Sequence, residues 1–284
     1  MSKRALAVAA MLLCAAGSAF AGVYYEAVTT TEGKGGGMGD VTVHAWVDGE
    51  MAKVEFAESG NPMMGPGSYL LTRNGGKTIY LVNPSDKTYA EWDMEAMMNM
   101  AGGAMKMAKG MMNMKFSDPE VEKVGEEPGG AMLGMPTTHY TYRTTYSMEM
   151  KFMGMHQKNT TVQDQEIWST TAIDMPAMGL WLKGNGPKTG DEQLDALVQA
   201  EMDKVKGFPL RQVTVTTTTD QKKGKSQTST TTMEVTKFEK TSVPEATFVI
   251  PPSYTETSLV PEQGEGGEEG EGNPLSKLFG GGGD

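Results

Sequence analysis

The chain has 284 residues, with 36 acidic against 25 basic side chains and a formal charge of −11. That balance argues against nucleic acid and anionic membrane surfaces as partners. Its sulfur is distributed oddly, with one cysteine, Cys14, against 25 methionines.

Residues 1–21 read as an export leader. Lys3 and Arg4 precede the apolar run Ala5–Ala16, and Ala19-Phe20-Ala21 supplies small residues around a cleavage point before Gly22. The apolar run is too short to span a bilayer. Cleavage removes Cys14 and the leader's two positive charges, which takes the chain from −11 to −13. The mature protein then has no disulfide, thiolate ligand or cysteine nucleophile. An exported, periplasmic protein follows, with no membrane-integral segment left after cleavage.

Residues 22–258 are read as one domain. Val41, Val43, Ala45 and Val47 alternate with polar neighbours up to Asp48-Gly49, and Ala52, Val54 and Phe56 alternate after it, the pattern of a hairpin. Tyr69–Leu71, Thr78–Val82 and Thr88–Trp92 continue the meander across tight turns at Asn74-Gly75-Gly76 and Asn83–Asp86.

A helical insert is expected at about 93–115. A seven-residue phrase occurs there three times, as Met97-Met98-Asn99-Met100, Ala104-Met105-Lys106-Met107 and Met111-Met112-Asn113-Met114. The period aligns Met98, Met105 and Met112 on one line and Met100, Met107 and Met114 on another. Gly102, Gly103 and Gly110 each weaken such a helix by about 1 kcal/mol relative to alanine, so it should be loosely held.

A long strand follows. Tyr140, Tyr142, Thr144, Tyr146, Met148, Met150 and Phe152 take every second position, and Glu166–Thr170 reads as the return strand. A helix from about Asp191 to Lys206 starts at the capping box Thr189-x-x-Glu192 and carries an apolar stripe of Leu194, Leu197, Val198, Met202 and Val205. Phe208–Thr219 and Gln227–Phe238 form a second long hairpin. A short last strand is expected at Thr247–Ile250, before Pro251-Pro252. Residues 259–284, mostly glycine and glutamate, read as a disordered acidic tail.

Several of these segments resemble a known group. Trp46-Val47-Asp48-Gly49 with Lys53-Val54-Glu55, and the run from Asn74 to Pro84, are similar to the opening strands of the outer-membrane lipoprotein carrier fold. Gly207-Phe208-Pro209-Leu210 and the run from Phe248 to Tyr254 are similar too. Together with Met135–Tyr140, they resemble most the exported family called domain of unknown function 4412. The resemblance implies an α+β, mostly β fold: a strongly curved antiparallel sheet, an open half-barrel, with one or two helices plugging its concave face over an apolar cavity. Carriers of that fold hold acyl chains there, whereas the 4412 family has no established activity.

Catalytic signatures are missing from the sequence: there is no Gly-x-Ser-x-Gly, no His-Glu-x-x-His and no phosphate-binding glycine loop around the three histidines, His44, His139 and His156. Two binding chemistries remain for the methionines. They can form an adaptable apolar lid over a ligand such as a lipid or lipidated segment, with Met98, Met105, Met112, Tyr146, Met148, Met150 and Phe152 lining the site, or a permanent plug that fills the cavity of a structural envelope protein and never opens. Alternatively, Met-x-Met pairs can bind Cu(I) through soft sulfur, with Met148, Met150, Met153, Met155 and His156 as ligands. In the apolar reading no cofactor is needed.

Overall fold

The structure, a computed structural model, describes residues 22–33, 40–60, 64–152, 155–173, 192–204 and 206–257. The leader, the acidic tail, Met153 and the capping-box residue Thr189 lie outside these residues. Strands β1 (Gly22–Gly33), β2 (Val41–Asp48), β3 (Met51–Ser59), β4 (Tyr69–Thr72), β5 (Thr78–Asn83) and β6 (Thr88–Asp93) form a meander. Helix α1 (Met94–Met112) follows without a linker, and then come β7 (Lys115–Phe116), β8 (Glu120–Met132), β9 (Met135–Phe152) and β10 (Met155–Thr170). Helix α2 (Glu192–Met202) precedes the hairpin of β11 (Phe208–Asp220) and β12 (Lys225–Thr241), and β13 (Thr255–Glu256) ends the described chain.

All thirteen strands belong to one curved, unclosed sheet in the order β13-β6-β5-β4-β3-β2-β1-β12-β11-β10-β9-β7. β7 and β8 occupy the same side of β9 in succession. Every pairing is antiparallel except β13 with β6. β1 is the keystone. It pairs with β2 on one side and with β12 on the other, joining the N-terminal meander to the C-terminal hairpin.

The hairpin β2–β3 turns where the alternating pattern places Asp48-Gly49, and Gly49 sits at φ 57°, where an L side chain would be strained. β9 is longer than its stripe alone suggests, because the pairing with β8 extends it back to Met135. β10 begins at Met155, well before Glu166, and pairs with β9 along its whole length. Thr247–Ile250 is not a strand: Glu245–Phe248 makes one 3-10 turn, closed by the Thr247 amide donating to Pro244 O at 2.9 Å. That turn drops Phe248 into a core with Tyr69, Leu71, Val82 and Val243.

Helix length requires the sheet to curl. α1 links β6, beside one edge, to β7 on the opposite edge. Ten strand spacings of about 4.8 Å would separate these strands by ~48 Å in a flat sheet. Nineteen helical residues cover only ~28 Å, and the two-residue link Asn113-Met114 adds about 7 Å. A flat sheet cannot be bridged this way, so the strands bend toward one another and α1 becomes the chord.

Two of the three hydrophobic clusters sit on opposite faces. The first gathers Tyr25, Ala27, Ala45, Val47, Ala52, Phe208, Leu210 and Val235 on the inner, helix-bearing face. The second is the cluster around Phe248, on the outer face of β3–β6.

Candidate functional site

Strand alternation decides which side chains meet α1. The register pairs Ala45 with Tyr25 and Val54, Val54 with Leu70, and Leu70 with Leu81. These positions share the inner face, and together with Ile79 and Ala90 they make β1–β6 an apolar floor. The other half of that face is different. From β9 to β12 it presents Thr144, Thr161, Gln163, Gln165, Thr214, Thr216 and Thr231 beside Tyr140, Tyr142 and Ile167.

α1 runs from the end of β6 toward β7. Asp93 caps its first turn by accepting from the Ala96 amide at 2.7 Å, and Asn113 ends it in the left-handed conformation. Met94 is 4% exposed and Met98 is half-buried. The other line faces water: Met100 is 62% exposed and Met107 67%. Lys109 donates to Gln193 Oε1 at 3.4 Å, which ties α1 to α2, and its ammonium lies 5.6 Å from the Phe116 ring centroid. With β6 at one end and β7 two residues past the other, α1 is a strap anchored at both ends.

Tyr146, Met148 and Met150 lie on the inner face and are half-buried. Burial pushes the Tyr146 phenol above its usual range, partly offset by a hydrogen bond with Thr161. On the same face, burial pushes Tyr25 up to about 12. β7 pairs Phe116 with Met148, so the end of the strap stands next to the methionine stripe. The side chains of Met105, Met112, Phe152 and Met155 lie outside the described residues.

His156 is not brought to those methionines. It pairs with Lys151, one position out of phase with Met150, and so faces outward. There its Nε2 lies 2.8 Å from Glu149 Oε1, and Lys151 holds the same carboxylate at 2.9 Å. These two hydrogen bonds, Lys151 first, lower the Glu149 pKa. The candidate copper set is therefore split between the two faces of the sheet. Among the described residues, no group of three or more His, Cys, Asp and Glu side chains is arranged to hold a metal ion.

His139 also faces outward. Its ring stacks on Trp168 with centroids 4.1 Å apart, while the Arg211 guanidinium lies 5.3 Å from the same indole. Glu127 and Glu166 approach its two nitrogens at 3.2 and 3.1 Å. Carboxylates only accept, so both contacts are hydrogen bonds at once only when both ring nitrogens carry protons. A cleft of about 300 Å³ opens beside this stack, lined by Thr141, Arg143, Asp164, Glu166, Val213 and Val215 among others. It is on the outer face and is not the inner hollow under α1.

The residue that sequence reasoning missed is Lys204. It is 2% exposed, and its ammonium donates to Thr144 Oγ1 at 2.5 Å, Gln165 Oε1 at 2.6 Å and Glu201 Oε1 at 2.6 Å. Gln165 closes the network by donating to Glu201 Oε2 at 3.0 Å. Desolvation lowers the Lys204 pKa, and Glu201 opposes that shift. A signal was available. Lys204 stands seven residues after Leu197, so two helical turns return it to the apolar stripe.

Comparison with known proteins bears on the family. Among curated proteins, none matches this chain. A LolA superfamily protein from Nitrosomonas europaea resembles it in structure at a TM-score of 0.28 and 7% identity, over 80% of this chain and 90% of that one, too distantly to bear on function. None of the described helices is long and apolar enough to cross a membrane. The family model of the domain of unknown function DUF4412 matches residues 44–254, a span that holds β3–β12, α1 and the Lys204 network, and the chain belongs to that family.

Proposed function

We propose that this chain is an exported, periplasmic, non-catalytic protein that binds an apolar ligand, a lipid or a lipidated segment, on the inner face beneath α1. The observation that carries the reading is the strap itself. A methionine-bearing helix is anchored to opposite ends of a curled sheet and crosses a face whose β1–β6 half is apolar. Methionine side chains are unbranched and flexible, so they can repack around ligands of different shape. Met98 from the strap, with Tyr146, Met148 and Met150 from β9, supplies such a wall at half burial. The sequence resemblance to the lipoprotein-carrier fold supports the same reading. Because both ends of the strap are fixed, the ligand enters by local fraying of α1, for which Gly102, Gly103 and Gly110 provide weak points.

Native mass spectrometry of gently purified protein, with displacement of a fluorescent fatty-acid probe, tests this. Bound lipid mass and saturable probe binding are expected. The pair Met148→Asp with Met150→Asp should weaken the probe at least tenfold, while outward Met107→Gln leaves it unchanged. A clean apo mass without probe binding would sink the proposal.

A further inference from the structure

The binding reading uses Met98 of α1 and leaves Met100 and Met107 unexplained. Met100 and Met107 are the two most exposed large hydrophobic side chains among the described residues. Leucine would support the helix equally well. What methionine adds is a thioether that accepts an oxygen atom.

The glycine punctuation of the repeat fits that chemistry. Gly103 stands three residues after Met100, and Gly110 three residues after Met107, so each glycine adjoins its methionine on the helix surface. A Cβ placed at either glycine would meet nothing within 4 Å. The neighbouring position therefore casts no steric shadow over the sulfur.

We propose that Met100 and Met107 are sacrificial oxidation sites that intercept hydroperoxides at the surface of the strap. The sulfur lone pair attacks the terminal oxygen of ROOH. An S–O bond forms as the O–O bond breaks, the proton passes to the departing oxygen, and ROH leaves. Sulfur loses two electrons to give the sulfoxide, and the peroxide gains them. Both side chains already stand in water, so the more polar product pays no desolvation penalty. Met94, at 4% exposed, is shielded, and Met148 and Met150 are half-buried. The cap at Asp93 is remote from the reaction and continues to hold the helix.

The test treats the full chain with graded hydrogen peroxide and maps sulfoxides by peptide mass spectrometry. Met100 and Met107 should convert at least tenfold faster than Met94, Met148 and Met150, with far-ultraviolet circular dichroism and Tm unchanged once the fast pair is oxidised. Met100→Leu with Met107→Leu should fold normally, lose the fast phase and, at two equivalents of peroxide, raise sulfoxide at Met148 and Met150 several-fold. Gly103→Leu with Gly110→Leu should slow the fast pair several-fold. Conversion of Met94 or Met148 as fast as the outward pair, or loss of helix on oxidising that pair, would overturn the proposal. So would a leucine variant in which Met148 and Met150 are no more oxidised than in the parent.

Discussion

Lys204 and Glu201 should respond unequally to neutralisation, and the inequality follows from their solvation. The Lys204 side chain is 2% exposed and that of Glu201 33%. In Lys204→Met the volume is kept and no charge stays buried, because Glu201 relaxes toward water while Thr144 and Gln165 lose one partner. That change should cost no more than about 1 kcal/mol, since replacing a buried ion by an apolar side chain is often near neutral. In Glu201→Gln the ammonium stays buried with neutral acceptors only. Removing one partner of a buried pair typically costs 3–5 kcal/mol, and the partial exposure of Glu201 puts this case at the low end, ~3 kcal/mol. For a domain of this size that is a fall in Tm of about 6–12 °C. The pH dependence carries the same signature. The folded Lys204 pKa lies below the ordinary lysine value. Between the two, the unfolded chain holds more protons, so stability rises with pH across that window. The raised tyrosine pKa values, such as that of Tyr25, act oppositely at higher pH, so the contribution is read as the difference between the parent and Lys204→Met. Urea unfolding followed by tryptophan fluorescence from pH 7 to 10 measures both effects. The reasoning is refuted if Lys204→Met costs more than Glu201→Gln, or if the parent-minus-variant stability falls as pH rises.

Asp93→Ala removes the cap of α1 and should cost about 1 kcal/mol, visible as faster amide hydrogen exchange in the first turn of α1 than in β9. Gly129→Ala should cost roughly 1–3 kcal/mol in thermal unfolding, because its Cβ would lie 2.5 Å from Thr137 Oγ1, 2.9 Å from the Trp168 ring and 3.1 Å from the His139 amide. Arg143→Ala should change stability by less than about 1 kcal/mol despite a 2.6 Å contact with Asp164, because both side chains are about half exposed and the pair is screened.

How much of this was legible depended on whether a segment has a dry face. β9 was readable because Tyr140, Tyr142, Met148 and Met150 repeat at period two against a covered side. β8 was not. It is an edge strand that reads Glu-Val-Glu-Lys-Val-Gly-Glu-Glu-Pro-Gly-Gly, and register shifts at Lys123/Gly125 and Pro128/Gly130 erase the alternation. Proline and like charges are tolerated at such an edge because nothing pairs beyond it. β1 and most of β10 escaped for a related reason. Their polar inward positions, such as Thr29, Thr31 and Gln165, face the threonine- and glutamine-rich half of the inner surface, so hydrophobicity does not mark them. The same polarity hid Lys204, which looks like a solvent lysine until the helical stripe is counted. For the candidate site, the inward placement of Met148 and Met150 could be read from the strand, whereas the outward placement of His156 needed the β9–β10 register.

The strap changes what the methionine repeat can mean. A seven-residue period drifts slowly around a straight helix, so it draws two lines of methionine, and a chord across a half-barrel can bury only one of them. Met98 takes the covered side, and Met100 and Met107 take the side in water. In the proposed reading, sulfur on the covered side would serve the fit to an apolar ligand. The same sulfur on the open line gains nothing from packing, and glycine beside it exposes it further. One repeat thus presents one chemistry to two environments, and burial alone separates the roles.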